Sequence, residues 1–118
     1  MASSPRKSLL GLVLVVLGTS AAVQWWHGAN EARLGAAMAM KAEPGDIRMI
    51  ASDTCMYCDH ARTFFNEYHV TFSECSIERD KGCDANYRAT LAPGTPVLVV
   101  RGKPQLGFDP KRVLEALG

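Results

Sequence analysis

Cys55 and Cys58, separated by Met56-Tyr57, are the residues best suited to chemistry in this chain. A short apolar run, residues 47–51, precedes them. A run with helical spacing follows, in which Ala61, Phe64, Phe65 and Tyr68 recur on one face. The pair therefore opens a helix. Unpaired N–H groups and the positive end of the helix dipole favour a thiolate at such a position. The spacing also lets the second sulfur attack a mixed disulfide formed on the first. The chemistry these residues support is dithiol–disulfide exchange, with binding of a soft metal ion as the competing use.

Two further cysteines, Cys75 and Cys83, complete a set of four in 118 residues. Four cysteines allow three pairings, and the sequence does not choose among them. Three uses of Cys75 and Cys83 are open: a disulfide that staples a thin core, a second redox pair relaying electrons to Cys55, or free buried thiols. So high a count fits an oxidising compartment. His60 and His69 flank the predicted first helix of the domain. His60 is expected to be a solvated helix residue on a different face from Cys58. Asp53 or Thr54 is the expected cap of that helix. Met38 and Met40 lie in an Ala-rich segment, where methionine usually fills gaps. Arg88, Arg101 and Lys103 read as surface charges. A formal net charge of +1 and the lack of a basic stripe argue against a nucleic-acid partner.

The elements that position these residues follow from periodicity and breakers. Residues 47–51 read as a buried strand, and residues 70–77 as a second, with Val70, Phe72 and Ile77 as its apolar residues. Residues 80–91 read as a helix with Ala85, Tyr87, Ala89 and Leu91 as contacts. Pro93-Gly94-Thr95-Pro96 forces a turn before the strand 97–100. Gly102-Lys103-Pro104 turns the chain into a short strand, 105–108. Asp109-Pro110 starts the last helix, Asp as cap and Pro in the first turn, with Val113, Leu114 and Leu117 buried. The order is β-α-β-α-β-β-α, an α/β fold with a four-stranded mixed sheet and helices on both faces.

With these elements placed, residues 46–118 resemble the thioredoxin-fold superfamily, and within it the glutaredoxins. The resemblance rests on the strand before Cys55, the Cys55-Met56-Tyr57-Cys58 motif, Thr95-Pro96 ahead of a strong strand, and Gly107-Phe108-Asp109 before the last helix. It implies Cys55 as exposed nucleophile and Cys58 as buried resolving thiol. It implies a cis Thr95–Pro96 bond facing the cysteines, with Tyr57, Thr95, Pro96, Gly107 and Asp109 contacting substrate. Thr95 would offer its backbone N–H and C=O to a bound thiol peptide. Met56 stands where glutaredoxins usually carry proline, and Leu106-Gly107-Phe108-Asp109 where they usually carry Gly-Gly. Protein thiols and disulfides are thus expected partners at least as much as glutathione. Glutathione would enter as a co-substrate, and no cofactor is implied.

The N-terminal third lies outside the resemblance. Arg6 and Lys7 precede an almost wholly aliphatic run, residues 9–17, which continues more weakly to Trp25-Trp26. Residues 1–26 read as a signal anchor or a cleaved signal peptide: 9–26 just reaches membrane-spanning length, and Ser20-Ala21-Ala22 supplies small residues for cleavage. A buried core helix would need an amphipathic period that the run lacks. Both main readings leave Arg6 and Lys7 in the cytoplasm and carry the rest across, to the periplasm in a bacterium. Residues 27–45 read as a linker with helical potential, ended by Glu43-Pro44-Gly45.

The expected function is thus a glutaredoxin-like thiol–disulfide oxidoreductase outside the cytoplasmic membrane, serving electron transfer and redox homeostasis. Two alternatives stand beside it: a copper- or zinc-binding CxxC module, and a redox-inert assembly factor that keeps the fold.

Overall fold

The computed structural model describes residues 4–118. The chain divides into two compact units, one reaching to Glu31 and the other spanning Ala32–Gly118. A long helix, α1 (Pro5–Lys41), supplies the described part of the first unit from Pro5 on and the opening turns of the second. Its apolar residues from Leu9 to Trp26 are exposed, and it is long and apolar enough to cross a membrane, with a mean hydropathy of 1.8 over its best window.

The second unit starts earlier than residue 46. Met38 is fully buried and Ala42 nearly so, both in the main core. Gly35 lies against the Tyr68 side chain so closely that an added Cβ would fall 2.7 Å from Tyr68 Cβ. The segment expected to be a linker is therefore partly a core element, and Met38 fills a gap inside it, whereas Met40 is exposed. A turn at residues 43–46 ends α1. Asp46 N–H donates to Glu43 C=O, Asp46 Oδ2 accepts from Glu43 N–H, and Gly45 takes a positive φ of 89°.

Strand β1 (Ile47–Ala51) is central and covered on both faces, which explains its nearly continuous apolar sequence. Then come α2 (Met56–Glu67), β2 (Ser73–Ser76), α3 (Lys81–Ala89), β3 (Val97–Val100), β4 (Lys103–Leu106) and α4 (Pro110–Leu117). The sheet order is β2-β1-β3-β4, with β1 parallel to β2 and antiparallel to β3, and β3 antiparallel to β4.

Side chains alternate across the strands and build two cores. On one face Ile47, Met49, Ala51, Leu98 and Val100 meet Met38, Phe64 and Phe65 of α1 and α2, and Val113 and Leu117 of α4. On the other face Ile50 and Val97 meet Cys83 and Tyr87 of α3.

Two strand starts and the buried face of one helix differ from the sequence expectation, each for a local reason. The second strand begins at Ser73 rather than residue 70. His69 adopts a positive φ of 55° after α2, and Val70 N–H is used by Phe65 C=O, so Val70 packs in the core without joining the ladder. The last strand begins at Lys103 rather than residue 105. Arg101 and Gly102 both have positive φ, 47° and 82°, which makes a two-residue hairpin loop and sets Lys103 opposite Val100. Pro104 is tolerated because β4 is an edge strand. In α3, Cys83 and Tyr87 face the sheet, while Ala85 and Ala89 are exposed and Leu91 lies beyond the helix in solvent. A disulfide at Cys83 sets the phase of this short helix.

Candidate active site

Cys55 sits at the N-cap of α2 with extended backbone, and its C=O accepts the first helical bond from Asp59 N–H. Its Sγ accepts a hydrogen bond from Cys58 N–H at 3.0 Å. The sulfur thus does what a serine or aspartate oxygen does at other N-caps, at the positive end of the helix dipole. Cys55 is partly exposed and Cys58 fully buried. The two are joined as a disulfide.

Neither Asp53 nor Thr54 caps α2. Asp53 is turned toward the connection between β2 and α3, where Arg79 Nη2 lies 2.6 Å from its Oδ1 and the Ser76 hydroxyl donates to it at 3.0 Å. Glu78 completes the tie by accepting from the Ser52 hydroxyl and, at 3.1 Å, from Asp53 N–H. The Arg79 guanidinium, followed by the Ser76 hydroxyl, holds the Asp53 carboxyl below its ordinary range. The Ser52 hydroxyl, followed by the Asp53 N–H, does the same for Glu78. These bonds clamp the loop that delivers Cys55. Arg62 adds a second clamp: it grips Glu74 of β2 through two bonds of 2.8 Å and Asp59 at 2.6 Å, which raises its already high pKa further.

Beside α2 lies an open groove of about 250 Å³, lined by Tyr57, His60, Thr95, Pro96, Gly107 and Phe108. The Thr95–Pro96 bond is cis. Pro96 C=O accepts from Gly107 N–H at 2.9 Å, which ties the start of β3 to the end of β4 and forms one wall. Among the described residues, no hydrogen bond occupies the N–H or C=O of Thr95. Phe108 links the groove to the core: its ring centroid is 5.2 Å from those of Phe64 and Phe65 and 6.1 Å from that of His60. No lining residue carries a fixed charge.

The structure brings Tyr57, Thr95, Pro96 and Gly107 together at this groove. Asp109 is not among its lining residues; its Oδ1 accepts from Lys111 N–H and caps α4. Arg88 pairs with Asp84 and Arg101 with Asp46, and neither these nor Lys103 line the groove. His60 is exposed, yet it lines the groove. Its spacing of three from Tyr57 puts both on one helix face, a signal legible in the sequence.

No family model matches the sequence, and no curated protein matches it. Solved structures do. A mutant of a thioredoxin-like protein superposes with a TM-score of 0.56 at 20% identity, covering 62% of this chain and 95% of that one. The chain has a thioredoxin-like fold. Wheat glutaredoxin aligns with a TM-score of 0.48 at 17% identity, over 70% of this chain and 80% of its own.

The thioredoxin-like domain carries a second disulfide, Cys75–Cys83, between β2 and α3. It belongs to the core on the α3 side of the sheet, whereas Cys55 and Cys58 belong to the other. Among the described residues, no group of three or more His, Cys, Asp or Glu is arranged to hold a metal ion.

Proposed function

We propose that the chain is a thiol–disulfide oxidoreductase acting through Cys55 and Cys58 on protein disulfides, or on glutathione disulfides, outside the cytoplasmic membrane. The observation that carries the reading is the asymmetry of the pair: a partly exposed cysteine at the N-terminus of the helix whose Tyr57 and His60 line an open groove, backed by a buried one.

In the reducing direction, Cys55 thiolate attacks one sulfur of a substrate disulfide. A Cys55–substrate bond forms, and the other substrate sulfur leaves as thiolate. Cys58 then loses its proton and attacks Cys55 Sγ, releasing the second substrate thiolate and restoring the Cys55–Cys58 disulfide. Two electrons pass from the dithiol to the substrate. The oxidising direction is the same sequence reversed. Thr95, whose backbone groups have no partner within the domain, would pair with the extended chain around the substrate cysteine. Tyr57, Pro96, Gly107 and Phe108 would hold the flanking residues.

The extracytoplasmic assignment is supported by Arg6 and Lys7 ahead of the apolar part of α1, and by four cysteines joined in two disulfides. The test is insulin reduction by the purified full chain in detergent, with dithiothreitol as electron source. Cys55→Ser abolishes turnover, and Cys58→Ser accumulates a mixed disulfide. Retention of wild-type turnover by Cys55→Ser would overturn the proposal.

A further inference from the structure

We propose that Cys75–Cys83 is a second exchangeable disulfide, open to reduction by dithiols, whose reduced form is stabilised by Arg48. This proposal goes beyond the role of Cys55 and does not depend on it.

The pair repeats the asymmetry of Cys55–Cys58. Cys75 is partly exposed and lines an open cleft of about 550 Å³ along the β2 edge, whereas Cys83 is fully buried. Cys83 occupies the third residue of α3, as Cys58 does in α2. Its N–H is bound by Asp80 Oδ1 at 3.1 Å. A nucleophile arriving through the cleft therefore reaches Cys75 before the buried Cys83, and the leaving sulfur lies in the first turn of a helix.

The second observation is Arg48. This half-buried residue of β1 lies on the same face of the sheet as Ile50, whose register partner is Cys75. Arg48 Nη2 donates to Cys75 Sγ at 3.4 Å. Among the described residues, Arg48 makes no ion pair, and its side chain makes no other hydrogen bond. In the oxidised state the guanidinium thus faces a neutral disulfide sulfur. In the reduced state it faces a thiolate, and the half-buried charge gains the counter-ion it otherwise lacks. Away from the cleft the surroundings are largely apolar (Ile50, Ile77, Val97 and Val99, with Tyr87 of α3), so on that side water screens the pair little. The carboxylates that line the cleft are engaged: Asp53 with Arg79, Asp59 and Glu74 with Arg62, and Asp80 as acceptor from Cys83 N–H.

The exchange balances as follows. A thiolate of an external dithiol attacks Cys75 Sγ, forming a mixed disulfide, and Cys83 leaves as thiolate and takes a proton. The second thiol of the reductant loses its proton and attacks its own partner sulfur. Cys75 departs as thiolate beside Arg48, and the reductant ends as a cyclic disulfide. Two electrons enter the protein.

The test uses the full chain in detergent at pH 7, equilibrated across ratios of reduced to oxidised dithiothreitol. Samples are acid-quenched, alkylated after denaturation, and each cysteine is read by peptide mass, so the two pairs are followed separately. Cys75–Cys83 is expected to titrate reversibly while far-UV circular dichroism stays native. Arg48→Met should move its midpoint about tenfold toward more reductant, the effect of one lost charge partner, without moving that of Cys55–Cys58. Arg48→Lys should restore most of the shift. Two outcomes overturn the proposal: Cys75 and Cys83 staying oxidised until the protein unfolds, or Arg48→Met titrating at the wild-type midpoint.

Discussion

The backbone N–H of Cys58 lies 3.0 Å from Cys55 Sγ and donates to it. One residue pair thereby supplies both sulfurs of the proposed exchange and part of the field that would stabilise a Cys55 thiolate. In the reduced protein Cys55 should react with iodoacetamide at pH 7 more than about tenfold faster than Cys58, which has no exposed surface. Cys58→Ser keeps that N–H, so Cys55 should retain its rate in this variant. Stopped alkylation with peptide mapping checks both statements, and equal labelling of the two cysteines would contradict them.

Tyr57 lines the groove but is 71% exposed, so its contribution should fall on binding rather than folding. Tyr57→Ala should raise KM for a protein disulfide by about three- to tenfold, the weight of one aromatic contact. The melting temperature should stay near wild type, as for other exposed positions. Steady-state kinetics alongside a thermal melt separate these effects. A fall in kcat with unchanged KM would remove Tyr57 from substrate binding.

Met38 is the test of whether α1 belongs to the folded domain. Met38→Ala should destabilise the full chain by about 2–5 kcal/mol, as expected for a large-to-small change in a core. Gly35→Val should also destabilise, because its side chain would enter the space of Tyr68. Met40→Ala, two residues from Met38 but exposed, should change little. Chemical denaturation in detergent reads all three. Equal stabilities for the Met38 and Met40 variants would show that residues 32–42 do not pack.

Asp53 and Glu78 give the loop before Cys55 a dependence on acid. Both carboxyls are held below their ordinary range in the fold, so they release protons more readily there than in the unfolded chain. Their stabilisation is complete above the ordinary carboxylate range and is lost as pH falls through the folded values. Melting temperature should therefore drop on going from pH 7 to pH 3. Arg79→Leu, which removes the main partner of Asp53, should start lower at neutral pH and fall less steeply. A parallel fall in both proteins would place the acid sensitivity elsewhere.

Much of the fold is legible from residue order alone. Asp109-Pro110 starts α4 because an N-cap oxygen and a fixed φ act within a few residues of each other. The CxxC is legible as a helix start because residues with helical spacing follow it, although the cap is Cys55 itself, and Val97–Val100 as a strand because a breaker precedes four aliphatic residues. Where local and tertiary terms compete, the sequence reading drifts. Val70 carries a strand-like side chain but gives its N–H to Phe65, and the Ala-rich residues 32–42 look like a tether until Tyr68 and the sheet offer them a surface.

By itself the sequence determines which groups can react: two thiols one helical turn apart, a second thiol pair, and an apolar segment with basic residues before it. Their reactivity depends on periodicity and chain direction over a few residues, which the sequence contains. Only the tertiary structure decides what surrounds each sulfur. It gathers Tyr57 and His60 with Thr95 and Phe108 around one groove, sends Asp53 to Arg79 instead of the α2 cap, and sets Arg48 against Cys75. These are contacts between residues far apart in the chain. They exist because the sheet order β2-β1-β3-β4 brings those strands side by side, and spacing along the chain carries no record of that order.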